Sequence, residues 1–235
     1  MSIKVIMFDL DGTLLPMDQE VFVNAYFKGL AKKLMPFGYE PKSLTDAIWQ
    51  GTYAMVKNDG KENNEAVFWK AFADIFGEKV YQDEKHFEEF YKNEFQDVKN
   101  VCGYSEKAKE VVKTAKDKGL RVVLATNPIF PAIATRSRCR WAGVEAYDFE
   151  FYTTYENIGF CKPNILYYEE IVKRLGVKPE ECLMVGNDVS EDMIAGKLGM
   201  KVFLLTDCII NKNNEDISSY PNGDFDKLIE YIKNL

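Results

Sequence analysis

Four short apolar runs divide the chain, and each is followed by a turn or by polar residues. The first is IKVIMF (3–8), and the others are LRVVLAT (120–126), CLMVGN (182–187) and KVFLLT (201–206). Uninterrupted apolar runs of this length are typical of strands that are buried on both faces. FEFYT (149–153) is a weaker strand candidate.

Amphipathic helical patterns lie between these strands. They are SEKAKEVVKTAKDKG (105–119), PAIATRSRCRWAG (131–143) and PNILYYEEIVKRLG (163–176). Ser105 is the expected N-cap of the first, Pro131 and Pro163 open the other two, and each pattern ends at a glycine. Alternating strands and helices predict an α/β fold, in which a Rossmann-like parallel sheet carries helices on both faces.

Residues 17–97 do not follow this alternation of strands and helices. They contain the amphipathic patterns QEVFVNAYFKGLAKKLM, SLTDAIWQGTYAMVK, NEAVFWKAFADIF and DEKHFEEFYKNEF, with no convincing strand among them. The second pattern starts like a capping box, with Ser43 followed three positions later by Asp46. We therefore predict an all-helical insertion at 17–97 in a core made of residues 1–16 and 98–235.

Polar residues follow the predicted strands at the points where the strands end. They are Asp9, Asp11, Gly12 and Thr13 after the first strand, Thr126 and Asn127 after the second, and Asn187 and Asp188 after the third. Lys162 lies just before the helix that Pro163 opens. Since ligands of parallel sheets gather at the carboxyl ends of the strands, we expect these side chains to meet at one edge.

This set of residue types suits phosphoryl transfer. Asp9 as a nucleophile would form an acyl phosphate, and Asp11 would protonate the leaving oxygen and later activate water. The two carboxylates can coexist if a divalent cation lies between the strand ends, and hard oxygen ligands favour Mg²⁺.

The remaining polar groups suit the phosphate itself. The hydroxyl of Thr126 and backbone N–H groups at Thr126 and Asn127 can hold phosphate oxygens, and Lys162 neutralises the transferring group. Gly12 allows the backbone to turn tightly and approach an anion.

The composition narrows the classes of partner. The net charge of −7 and the pI near 5.0 argue against nucleic acid and anionic membranes as partners. The chain has 5 cysteines, no CxxC pair and 1 histidine, which argues against a disulfide framework and a zinc site. We expect a cytoplasmic protein, because the opening apolar run is too short for a signal peptide and the thiols suit a reducing compartment. The oligomeric state stays open.

FDLDGTL, ATN, CKPN and VGNDVSED, in this order, resemble the four motifs of the haloacid dehalogenase (HAD) superfamily. The resemblance implies a HAD-like core with Asp9 as nucleophile and Asp11 as general acid/base. It also implies that Thr126 and Lys162 bind the phosphoryl group, and that the metal takes the backbone carbonyl of Asp11 and a ligand from the last motif. The position of the helical insertion resembles a C1-type cap, a lid that favours small substrates.

The last motif departs from the family pattern. The family usually has Asp directly after the glycine, whereas this chain has Asn187 followed by Asp188. Either Asn187 binds the metal through its amide oxygen, or Asp188 supplies a carboxylate directly or through water. Asp192 is expected to orient the site from behind these ligands.

Several functions are compatible with these motifs. The main hypothesis is a Mg²⁺-dependent phosphatase that acts on a small phosphorylated metabolite through an aspartyl-phosphate, because Asp11 is an acid suited to phosphate esters. A sugar-phosphate type phosphomutase would form the same intermediate and pass it to a second hydroxyl. A catalytically silent HAD-like binding protein is the non-enzyme alternative. The substrate is not readable from the sequence.

Overall fold

A six-stranded parallel sheet forms the centre of the protein in the computed structural model, which describes residues 2–235. The strand order is β3-β2-β1-β4-β5-β6, and neighbouring strands run parallel throughout. The strands are β1 (Val5–Phe8), β2 (Arg121–Leu124), β3 (Phe151–Tyr152), β4 (Cys182–Gly186), β5 (Lys201–Leu205) and β6 (Asn222–Gly223). The predicted α/β fold with a Rossmann-like parallel sheet is confirmed.

Both faces of the sheet are covered. Successive side chains of β1 point to opposite faces, so Ile6 and Phe8 join one apolar cluster while Val5 and Met7 join the other. The first cluster includes side chains of α5 (Glu106–Asp117), α6 (Ala132–Trp141) and α8 (Phe225–Lys233), and the second those of α7 (Ile165–Leu175) and the 3-10 helix Met193–Leu198. The fully buried β1 and β4 therefore read as continuous apolar runs in the sequence.

Residues 17–97, here called the helical segment, contain four α-helices. They are α1 (Gln19–Leu34), α2 (Pro41–Val56), α3 (Asn64–Phe76) and α4 (Val80–Lys92), and the 3-10 helix Glu94–Val101 follows them. The chain leaves and re-enters the sheet layer at neighbouring points, because Gly103 N donates a hydrogen bond to Pro16 O at 2.7 Å and Met17 pairs with Cys102. No helix within residues 2–235 is long and apolar enough to cross a membrane.

The start of α2 differs from the prediction. The helix begins at Pro41, and the carboxylate of Glu40 caps it by accepting hydrogen bonds from the backbone N–H groups of Lys42 and Ser43 at 3.0 and 2.8 Å. Proline suits the first helical position because it has no N–H to satisfy there and its φ is already helical. The predicted cap at Ser43 was therefore wrong, and Asp46 instead pairs with Lys42 at 2.9 Å.

Phe95 joins the helical segment to the sheet layer. Its side chain is fully buried, and its ring lies 5.3 Å from that of Tyr91 in α4 and 5.0 Å from that of Trp141 in α6. We expect Phe95→Ala to lower the free energy of unfolding by about 3–5 kcal/mol, since a large cavity forms between two layers. Urea denaturation followed by circular dichroism measures this loss.

The control for this prediction is Tyr147→Ala, because Tyr147 is 84% exposed. It should change the free energy of unfolding by less than about 0.5 kcal/mol. Equal losses in the two variants would show that Phe95 does not join the layers energetically.

Candidate active site

The carboxyl ends of β1, β2 and β4 lie at the same level of the sheet. Phe8 is in register with Leu124 on one side and with Val185 on the other. The pairing continues for one more residue, because Asp9 N donates to Val185 O at 2.9 Å and Ala125 N donates to Phe8 O at 2.7 Å. The polar residues that follow these three strands therefore meet at one edge, as their positions in the sequence predicted.

Asp9 is buried, and its two carboxylate oxygens have different partners. Lys162 Nζ donates to Oδ1 at 2.9 Å, and the hydroxyl of Thr13 lies 2.9 Å from Oδ2. Lys162 also donates to Asp192 Oδ1 at 2.6 Å. The buried ammonium thus lies between two carboxylates that come from different strand ends.

The surroundings of Lys162 keep it charged. Burial alone would lower the pKa of its ammonium, but the carboxylates of Asp192 and Asp9 outweigh burial and raise this pKa well above its ordinary value. Asp192 is fixed in turn, because its Oδ2 accepts a hydrogen bond from Asp188 N at 3.0 Å. Gly186 makes room for that carboxylate, since a Cβ there would lie 2.0 Å from Asp192 Oδ2.

The amide oxygen of Asn187 faces the hydroxyl of Thr13, which also contacts Asp9. Its Nδ2 donates to the carbonyl of Cys208 at 2.7 Å, which leaves Oδ1 to face Thr13 Oγ1 at 3.0 Å. Gly12 is required beside it, because the φ of Gly12 is +82° and a Cβ there would lie 2.3 Å from Asn187 Nδ2. Thr13 belongs to the motif FDLDGTL, but no specific role was predicted for it from the sequence.

Asp188 has a different environment. Its Oδ1 accepts hydrogen bonds from the backbone N–H groups of Ser190 and Glu191 at 2.8 and 2.9 Å, and so caps the turn after β4. Of the two candidate metal ligands, Asn187 is therefore the one whose side chain shares the Thr13 hydroxyl with Asp9.

The residues present fit a hard cation that has few protein ligands. Within residues 2–235 there is no group of three or more His, Cys, Asp or Glu side chains suited to a metal ion. Asp9 Oδ2, Asn187 Oδ1 and Thr13 Oγ1 nevertheless form an oxygen-only set in which one hydroxyl proton serves two acceptors. Mg²⁺ prefers oxygen ligands and retains several waters, so a small donor set of this kind suits it.

Asp11 is paired with a second buried cation, Arg138 of α6. The Arg138 side chain is fully buried, contacts Asp11 Oδ2, and lies 4.4 Å from the centroid of the Phe130 ring. Asp11 Oδ1 is buried and has no hydrogen-bond partner among the described residues. Burial raises the pKa of Asp11, and the guanidinium of Arg138 opposes that rise.

Arg138 was not among the predicted site residues. A signal was present, because Ala134, Arg138 and the C-cap residue Ala142 recur at intervals of four along the buried face of α6. An arginine in such a stripe requires a buried acceptor, and Asp11 provides it.

Hydrogen bonds to buried side chains hold the loop after β2 in place. The carbonyl of Thr126 accepts hydrogen bonds from the hydroxyls of Thr153 and Tyr167 at 2.6 and 2.9 Å. Asn127 Nδ2 donates to Glu191 Oε2 at 3.0 Å. Burial raises the pKa of Glu191 to about 7. Of the four predicted phosphate-binding residues, Thr126 is thus held through its backbone carbonyl and Asn127 through its side chain.

The helical segment contacts the loops around the site. Asn64, the first residue of α3, is fully buried and donates to Pro128 O at 3.2 Å. The loop before α3 lies against the loop that leads to Lys162, because a Cβ on Gly159 would lie 2.9 Å from Gly60 Cα. The helical segment thus lies directly over the site loops.

Comparisons with known proteins agree with this architecture. Residues 3–199 match the family described as haloacid dehalogenase-like hydrolase. The chain is 36% identical over 91 residues to a glyceraldehyde 3-phosphate phosphatase from Methanothermobacter thermautotrophicus, a match that covers 38% of this chain and only 39% of that relative.

Two solved structures share the fold over nearly the whole chain. A HAD phosphatase from Thermococcus onnurineus has a TM-score of 0.59 at 19% identity and covers 99% of this chain and 97% of its own. A 2-haloacid dehalogenase from Pseudomonas syringae has a TM-score of 0.64 at 20% identity, with 99% of both chains covered. At such identities the likeness shows the fold alone.

The Asp11–Arg138 pair makes a testable contribution to stability. We expect Arg138→Met to lower the free energy of unfolding by about 2–4 kcal/mol, because Asp11 loses its cation in a largely buried site. Arg136→Met, which removes an exposed guanidinium two residues away, is the matched control and should cost less than about 0.5 kcal/mol.

A double-mutant cycle with Asp11→Asn isolates the pair. Urea denaturation of the four proteins should give an interaction energy of at least about 1 kcal/mol. Additive losses would show that the two side chains are not coupled.

Proposed function

Because the chain belongs to the haloacid dehalogenase-like hydrolase family, we propose that it is a Mg²⁺-dependent phosphatase acting on the phosphate monoester of a small metabolite. The observation that carries the proposal is the pair of carboxylates at the end of β1, each set against its own buried cation. Lys162 contacts Asp9, and Arg138 contacts Asp11. This arrangement gives two adjacent carboxylates different surroundings and so different roles.

In the first step, a carboxylate oxygen of Asp9 attacks phosphorus, and the bond between phosphorus and the leaving oxygen breaks. Asp11 gives a proton to that oxygen, so the alcohol leaves neutral and an acyl phosphate remains on Asp9. The second step reverses the role of Asp11, which takes a proton from water as the water attacks phosphorus. The bond from phosphorus to Asp9 breaks, and inorganic phosphate leaves. The unpartnered Oδ1 of Asp11 is the atom available for these transfers.

The surrounding residues hold the phosphoryl group. In this proposal Lys162 neutralises its charge, and the hydroxyl of Thr126 with backbone N–H groups at Thr126 and Asn127 binds its oxygens. Gly12 lets the backbone turn beside the phosphate, but its own N–H donates to Leu15 O at 2.8 Å. Asp192 positions Lys162, because Nζ contacts Asp192 at 2.6 Å as well as Asp9 at 2.9 Å.

The proposed metal ligands are Asp9, Asn187 and the backbone carbonyl of Asp11, with Asp188 acting through water. Bound there, Mg²⁺ supplies positive charge beside the phosphate, and this charge stabilises the transfer. The direct role given to Asn187 rests on its Oδ1, which shares the Thr13 hydroxyl with Asp9.

The helical segment supports a small substrate. We propose that residues 17–97 act as a lid over the site, since Asn64 already contacts the loop after β2. A short phosphorylated aldehyde is one candidate substrate, because a partial relative is named a glyceraldehyde 3-phosphate phosphatase. A panel of phosphorylated metabolites at saturating Mg²⁺, with that compound included, identifies the substrate.

The nucleophile is tested with para-nitrophenyl phosphate. We expect the wild-type chain to release para-nitrophenol only when Mg²⁺ is present, and Asp9→Asn to lower the rate by at least about a hundredfold because the amide is a poor nucleophile. Asp74→Asn, the same change at an exposed position of α3, should leave the rate within twofold. Equal rates for wild type and Asp9→Asn, or no release by the wild type, would refute the phosphatase.

The metal ligand is tested by comparing Asn187→Ala with Asp188→Asn. Asn187→Ala removes the amide oxygen, so the Mg²⁺ concentration for half-maximal rate should rise by at least about tenfold. Asp188→Asn keeps an acceptor for the two backbone N–H groups and should change that concentration less. The shift of the thermal midpoint with Mg²⁺ reports the same binding without turnover. A larger effect of Asp188→Asn in both measurements would make Asp188 the direct ligand.

A further inference from the structure

A cavity of about 310 Å³ lies between the helical segment and the sheet layer. Side chains of α1 to α4 line it on one side, and the start of α6 with Tyr155 and Glu156 lines it on the other. No predicted site residue is among its lining residues within the described chain. Phe130 separates it from the site, because this residue lines the cavity and its ring also lies 4.4 Å from the guanidinium carbon of Arg138.

Aromatic rings form much of the cavity wall. They include the rings of Trp49, Phe68, Trp69, Phe87, Tyr91 and Tyr155. Trp69 is held edge-on against Phe87, with the ring centroids 5.2 Å apart and the planes at 87°. Aromatic faces attract cations, most strongly where water is excluded.

Carboxylates in excess of cations line the same cavity. Glu88 is balanced by Lys92 at 2.9 Å, and Arg136, which is exposed, contacts the hydroxyl of Tyr152. Three further lining carboxylates have no salt bridge within residues 2–235; they are Glu65, Glu84 and Glu156. Burial first, and then the charges of Glu156 and Glu84, raise the pKa of Glu65, and a hydrogen bond from Tyr155 only partly opposes this rise.

Two buried polar atoms of the lining have no partner. Trp69 is 7% exposed, and its indole N–H lies near the hydroxyl of Tyr155 but makes no hydrogen bond of good geometry within the described residues. Glu156 uses Oε1 to accept from Ala132 N at 2.8 Å, while its buried Oε2 has no donor. Such groups are costly unless a ligand or water satisfies them.

We propose that this cavity binds a small organic cation, namely a protonated amine on a short apolar body that also carries an acceptor oxygen. The ammonium group neutralises the carboxylates of Glu65, Glu84 and Glu156, and the apolar body packs against the aromatic wall. The indole N–H of Trp69 donates to the oxygen. The volume is at the lower end for small-molecule sites, which matches a metabolite-sized ligand.

The test is calorimetric titration with 5-aminopentan-1-ol at neutral pH, compared with its uncharged isostere pentane-1,5-diol. We expect the amino alcohol to bind at least about tenfold more tightly than the diol. The double variant Glu65→Gln/Glu84→Gln should remove most of this preference. The double variant Glu78→Gln/Glu110→Gln, an equal charge change at two exposed positions outside the cavity, should leave it within twofold.

Three outcomes would overturn the proposal. They are equal affinity for the amino alcohol and the diol, no change in the double variant, and no saturable binding of the amino alcohol. Binding is measured without turnover, so failure of the proposed phosphatase would leave this result standing, and the reverse also holds.

A kinetic comparison identifies the source of the amine. If it belongs to the substrate, 5-aminopentyl phosphate should have a higher kcat/KM than pentyl phosphate, and Glu65→Gln should abolish the difference. If the amine is a separate ligand, the two esters should react alike while the amino alcohol still binds. Either pattern supports the cavity assignment and names its source.

Discussion

The ammonium of Lys162, buried between Asp9 and Asp192, is the interaction on which the arrangement of the site depends. It ties together the end of β1, the loop before α7 and the turn after β4. Burying one charged side chain costs several kcal/mol even after the protein relaxes around it. Each of these three charges therefore needs the others beside it, and removing one would leave an uncompensated buried charge. The cluster is therefore poor evidence of stability and good evidence of a functional requirement.

Asp11 likewise has a buried cation beside it, the guanidinium of Arg138. The sequence suggested that a divalent cation is needed for Asp9 and Asp11 to coexist, but the protein itself supplies one cation for each carboxylate. The metal proposed at Asp9 and Asn187 is thus free to act on the phosphate charge. The Phe130 ring packs against the guanidinium of Arg138 and also lines the neighbouring cavity. The site and the cavity therefore share this side chain.

The sequence predicted those strands whose residue pattern is determined by burial on both faces. The strands β1, β2, β4 and β5 coincide with apolar runs, and their common edge follows from parallel topology. In contrast, β6 lies in a polar loop and forms through backbone hydrogen bonds, such as that from Thr206 N to Gly223 O at 2.9 Å. Arg138 escaped prediction because a charged residue in a helix is usually exposed. The turn-capping role of Asp188 depends on the direction of backbone N–H groups, which sequence does not show.

The surroundings of Asn187 suit an amide better than a carboxylate at this position. Its Nδ2 donates to the carbonyl of Cys208 at 2.7 Å. An aspartate would put a carboxylate oxygen in the place of Nδ2, so that two acceptors would face each other with no hydrogen between them. Ile210 N donates to the carbonyl of Asn187 at 2.8 Å, so the same segment also fixes its backbone. An amide here lowers the attraction for a cation and also lowers the repulsion of an anionic phosphate. The segment after β5 therefore holds both the side chain and the backbone of Asn187.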